Sequence, residues 1–109
     1  MIYLTVIRDG NTQKEYILDK EVVTIGRAPE SDICIDNIGV SSNHAKITSA
    51  NLLLEDIGSA NGTYVNDQKV QSQTLENGDV IKVGKFEIRF FHSKPTQDNS
   101  QPQPPTYKV

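Results

Sequence analysis

Residues 1–18 read MIYLTVIRDGNTQKEYIL, and their spacing decides the fold class. Ile2, Leu4 and Val6 fall on one side of an extended chain, and Tyr3, Thr5 and Ile7 fall on the other. A period of two marks a strand, because successive side chains point to opposite faces. Asp9-Gly10-Asn11 then offers what a tight hairpin needs, since the favoured two-residue turn requires positive φ at its central positions. Residues 13–18 make the return strand.

Working outward, the same rhythm repeats. Val22-Val23-Thr24-Ile25 is β-branched throughout, which suits a pleated, half-buried surface, and it stops at Gly26-Arg27. Residues 33–35 form a brief strand after the loop Ala28-Pro29-Glu30-Ser31-Asp32. Further strands are expected over residues 44–49, 52–56 and 63–65. A short pair is expected around residues 69–70 and 73–75. Residues 79–83 and 86–91 close the domain through Gly84-Lys85. No window of helix length carries a 3.6-residue apolar period. Short strands punctuated by Gly, Asn and Asp point to a β-sandwich or a barrel.

Composition bounds the function. The chain has 109 residues, a single-domain length, with 36% apolar residues. The apolar residues lie almost entirely in residues 1–91, which are expected to form the domain. Residues 92–109 hold four of the five prolines and are rich in Gln. They bury too little apolar surface to offset ordering entropy, so a disordered tail or linker to further domains of a longer chain is expected. The net charge of −3 argues against general nucleic-acid binding, which needs clustered cations, but leaves room for one phosphate held at one point. No stretch is long and apolar enough to span a bilayer, and no basic region precedes the first apolar run as in a signal peptide. Cys34 is the single cysteine and, between Ile33 and Ile35, is expected to be a buried structural thiol. A reducing, cytoplasmic setting fits.

Function is sought in the long loops, because loops on a rigid scaffold carry it. Residues 26–32, 36–43 and 57–62 bring Arg27, Ser41, Ser42, Ser59 and Asn61, with His44 just beyond the second loop. The set has one fixed cation, several hydroxyls and one amide. It is suited to holding an anion rather than to bond chemistry.

Gly26-Arg27, then Val40-Ser41-Ser42-Asn43-His44, then Asp56-Ile57-Gly58-Ser59-Ala60-Asn61-Gly62-Thr63 resemble, in order and spacing, the forkhead-associated domain. The third block is the most specific of the three. The resemblance covers residues 1–91 and implies an eleven-stranded antiparallel β-sandwich whose loops at one end bind phosphothreonine peptides. It implies that the chain is a phosphothreonine-dependent interaction module in Ser/Thr-kinase signalling, with no cofactor or metal. Arg27 would contact the phosphate, since guanidinium keeps its charge and offers forked donors. Ser41 would donate its hydroxyl to the phosphate. Asn61 would grip the ligand main chain beyond the phosphothreonine, as an amide carries donors and an acceptor together. Gly26 would let backbone pass closely. His44 would bond between loops, and Ser59, Gly62 and Thr63 would shape the last of them, with Asp56 accepting backbone hydrogen bonds there.

Two positions depart from the family. Ser42 stands where arginine is frequent, and contributes a hydroxyl but no charge. Ala60 stands where relatives carry a hydroxyl or a basic side chain, so only its backbone N–H is expected to serve the ligand.

Other functions are weaker on the same residues. Ser41, His44 and Asp56 are the residue types of a hydrolase triad, yet no strand-to-helix nucleophile elbow is present, and no enzyme is expected. One Cys and two distant His residues make no metal site. A phosphate-independent scaffold is the alternative binding mode. A self-regulatory module is another, in which Thr96 or Thr106 of the tail becomes phosphorylated and fills the domain's own loops.

Overall fold

The computed structural model describes residues 1–92. The expected tail, including Thr96 and Thr106, lies outside them apart from His92. Eleven strands follow in order: β1 Ile2–Arg8, β2 Asn11–Leu18, β3 Val22–Gly26, β4 Ile33–Cys34, β5 Ala45–Thr48, β6 Leu53–Asp56, β7 Thr63–Val65, β8 Gln68–Val70, β9 Ser72–Thr74, β10 Val80–Val83 and β11 Phe86–His92. Among the described residues there is no helix.

The strands form a six-stranded sheet, β2-β1-β11-β10-β7-β8, and a five-stranded sheet, β4-β3-β5-β6-β9. The inward residues of both join one core. It includes Ile2, Leu4 and Val6 from β1, Val23 and Ile25 from β3, Ile47 and Leu54 from β5 and β6, and Ile81, Ile88 and Phe90 from β10 and β11. Each such side chain, fully buried, stabilises the fold by about 1.5–3 kcal/mol. The opening hairpin turns through Asp9 (φ 52°) and Gly10 (φ 77°), the paired positive angles that an Asp-Gly turn supplies. Its far end is pinned where the Arg8 guanidinium sits 5.3 Å from the centre of the Phe86 ring.

Three details differ from the reading of the sequence. First, β3 and β4 run parallel, with Ile25 opposite Ile33 and Gly26 opposite Cys34. The other pairings within the two sheets are antiparallel. The cause is Asp32. Its carboxylate accepts the Thr24 N–H at 3.0 Å, and its own N–H donates to Thr24 Oγ1 at 2.9 Å. The chain is thereby drawn back to the level of Thr24 and must run forward again beside β3. Burial would raise the Asp32 pKa, but hydrogen bonds from Lys20 and Thr24 outweigh it and hold the carboxyl below its ordinary value.

Second, Cys34 is exposed rather than buried. Ile33 and Ile35 both face the core, so alternation turns the residue between them outward. Third, β8 and β9 are not a pair. β8 returns on β7, with Thr63 opposite Val70, while β9 crosses to the other sheet and pairs with β6. The β7–β8 turn is made by Asn66 and Asp67, both at positive φ, and their turn signal in the sequence was the missed clue.

Candidate functional site

Three loops meet at one end of the sandwich, and their junction is built from the backbone outward. The loop after β3 is bonded to the loop before β5: Arg27 N–H donates to Ser41 O at 3.0 Å and Ala28 N–H to Ser42 O at 3.2 Å. The approach is so close that a Cβ on Gly26 would collide with the Ser42 carbonyl. Only glycine fits there. Arg27 and Ser41 are thus neighbours because their main chains are.

His44 ties this pair to the third loop. It is fully buried. Its Nδ1 accepts the Ser41 N–H at 3.1 Å, and its Nε2 lies 2.9 Å from Gly62 O. An Nδ1 that accepts and a carbonyl partner on the other side define the neutral tautomer carrying its proton on Nε2. The His44 main chain adds two ties, its N–H donating to Ile25 O at 3.0 Å and its carbonyl accepting the Ile57 N–H at 3.1 Å. One residue therefore joins β3 and all three loops.

Asp56 organises the loop over residues 57–62. Its Oδ1 accepts the N–H groups of Gly58 at 2.8 Å and Ser59 at 3.0 Å. Its Oδ2 accepts the hydroxyls of Ser59 and Thr63, the latter at 2.8 Å. Ser59 Oγ in turn accepts the Gly62 N–H at 2.9 Å. Burial pushes the Asp56 pKa up, but four donors to the ionised form, led by the Ser59 hydroxyl, win and bring it from 3.8 to about 2. Gln71, which the sequence did not single out, braces the same residue: its carbonyl accepts the Asp56 N–H, and its Nε2 donates to Asp56 O, both at 2.9 Å.

The outward-facing groups sit on this frame. Arg27 is exposed, and its guanidinium pairs with no carboxylate among the described residues. Ser41 Oγ accepts the Ala60 N–H at 2.9 Å, which leaves the hydroxyl proton to point elsewhere. Asn61 Nδ2 donates to Gly39 O at 3.0 Å, which orients the exposed carboxamide. Ser42 is exposed beside Ser41. Ala60 corrects an expectation: its N–H is committed to Ser41 rather than open to a ligand. The alanine therefore acts by positioning the serine hydroxyl.

Ser41, His44 and Asp56 do not form a catalytic relay. Both His44 ring nitrogens are engaged by main-chain groups, and Asp56 holds its own loop. Among the described residues, no three His, Cys, Asp or Glu side chains gather as metal ligands.

A rigid sandwich that presents a cation, a hydroxyl and an amide from cross-braced loops is a recognition module. The chain belongs to the FHA domain family, whose model matches residues 23–84. It is 44% identical over 89 residues to an oxoglutarate dehydrogenase inhibitor of Corynebacterium efficiens, covering 80% of this chain and 63% of that protein. The chain spans less than two thirds of the length of the curated relatives it matches. Among solved structures, an FHA domain studied for phosphothreonine-dependent interactions superposes with a TM-score of 0.74 at 33% identity, covering 85% of this chain and 99% of that one. Mycobacterium tuberculosis EmbR, in complex with a low-affinity phosphopeptide, superposes at 0.76 with 32% identity, covering 89% of this chain and 26% of that one.

Proposed function

We propose that this chain is a phosphothreonine-dependent interaction module, in which Arg27 and Ser41 hold the phosphate and Asn61 holds the ligand main chain. The observation that carries the reading is the arrangement of Ser41 against Arg27. Ser41 Oγ accepts the Ala60 N–H, so its proton is directed away from the protein, beside a cation with no described anionic partner. A phosphothreonine brings about −1.5 to −2 charges and three strong acceptors, and meets both needs at once. Asn61, fixed through one amide hydrogen to Gly39 O, keeps its carbonyl oxygen and second hydrogen for a peptide main chain. Such a ligand exists only where a Ser/Thr kinase has acted, which places the module in kinase signalling within the cytoplasm. The protein acts by binding and catalyses no reaction itself; the dispersed roles of Ser41, His44 and Asp56 support that reading. Its likeness to an inhibitor of an oxoglutarate dehydrogenase makes a regulatory role the natural output.

The test is a fluorescence titration with one peptide in three forms, carrying phosphothreonine, phosphoserine or threonine. Threonine binds worst, and phosphothreonine binds better than phosphoserine, because one buried methyl adds about 0.8 kcal/mol. Arg27→Ala weakens the phosphothreonine complex about 10- to 100-fold, the scale of a charge-assisted contact. Equal binding of the phosphorylated and plain peptides would instead favour a phosphate-independent scaffold.

A further inference from the structure

Gly62 follows Asn61, has φ +89° and is buried. Lys69 covers it. A Cβ placed on Gly62 would lie 2.9 Å from Lys69 Cε and 3.5 Å from Cδ, with Tyr64 Cε1 at 3.4 Å. The lysine stands on β8 opposite Tyr64 in the β7–β8 ladder, and its stem extends from there across the end of the binding loop. The ammonium is one bond beyond Cε, so it stands beside the residue that follows Asn61. Lys69 is exposed and forms no ion pair with a described residue. The carboxylate of its own hairpin, Asp67, is instead 3.6 Å from Lys82.

Long cationic side chains commonly lay an apolar stem on a surface and keep the head in water. What sets Lys69 apart is the place its head occupies. Gly62 has no side chain to hold the lysine away, and its positive φ disfavours any residue that would. Asn61 and Lys69 are therefore adjacent parts of one surface, the first neutral and suited to a main chain, the second charged and suited to a side chain.

We propose that Lys69 is a specificity-determining residue, which favours phosphothreonine ligands with a carboxylate side chain among the few residues after the phosphothreonine. This rests on the phosphopeptide reading above and adds to it the chemistry of the neighbouring ligand residue. An exposed ion pair of this kind changes affinity by about 1.4- to 5-fold. It weakens as salt rises.

The experiment is an anisotropy titration of the full chain with phosphothreonine peptides. They differ only in having Glu, Gln or Lys at each of the four following positions. At one or more positions Glu binds about three-fold tighter than Gln at low salt, and Lys binds weaker than both. In K69M, which keeps an apolar stem over Gly62, the Glu-to-Gln ratio falls to one; in K69R it is retained. A ratio of one at every position in the wild type, or an unchanged ratio in K69M, overturns the inference alone, provided that binding depends on Arg27. Absence of any phosphothreonine binding, or binding indifferent to Arg27→Ala, overturns the phosphopeptide reading and this inference with it.

Discussion

Two sets of polar side chains share the loop end of the sandwich, and they behave oppositely. His44, Asp56, Ser59 and Thr63 direct their polar atoms into the protein, each bridging segments that would otherwise drift apart. Arg27, Ser42 and Asn61 are exposed, and Ser41 straddles the boundary by accepting from Ala60 while its proton faces out. The first set is a frame and the second a grip. The difference teaches that stability and recognition are assigned to different residues only a few positions apart, so mutation should separate them.

The largest effect expected is on the frame. His44→Ala leaves the Ser41 N–H and the Gly62 carbonyl without their partners and opens a cavity, so it costs about 3 kcal/mol of unfolding free energy. Urea denaturation measures it. A loss below about 1 kcal/mol would break the distinction, because a frame residue would then be dispensable. Arg27→Ala is the counterpart: the midpoint in urea stays where it was although the peptide is lost.

Asp56 sharpens the frame through pH. Its carboxyl is held at about 2, below its ordinary 3.8, so its stabilising contribution is full above about pH 4 and disappears as pH falls through 2. The contribution is on the order of 2 kcal/mol. Acid unfolding followed by circular dichroism should therefore lose a steep component between pH 4 and 2 in Asp56→Asn. An unchanged acid profile in that variant would remove Asp56 from the frame.

The smallest effect falls on the residue between the two sets. Ser41→Ala deletes one outward donor and the acceptor of the Ala60 N–H, so peptide affinity drops about five-fold and stability by about 1 kcal/mol. Calorimetry and urea melts on the same sample separate the two. A change in only one of them would place Ser41 wholly in one set.

The legibility of these sets in the sequence was unequal. Periodicity of two and turn residues located the strands to within a residue or two, because local sterics and burial set both. Pairing was less visible. Nothing in Gln68–Val70 or Ser72–Thr74 announces that consecutive short strands join different sheets. Nor does Asp32 advertise that it will draw β4 into a parallel register. At the site, the types and order of Arg27, Ser41 and Asn61 were readable through family resemblance. The engagement of the Ala60 N–H by Ser41 was not, and neither was the bracing of Asp56 by Gln71, since both depend on which backbone groups remain unpaired once the loops meet.

The direction of β11 has a consequence for any self-directed ligand. The strand begins at Phe86, beside the Gly84-Lys85 turn that packs on Gly39, and ends at His92. Seven extended residues carry the chain about 20 Å from the loop end. Whatever follows His92 is thus a tether anchored at the far pole. Thr96, four residues on, has a leash of about 14 Å and cannot return to the loops of its own molecule. Thr106, fourteen residues on, has about 46 Å and can. Tether length alone would make a phosphorylated Thr96 a link between molecules, and leave only Thr106 within reach of its own domain.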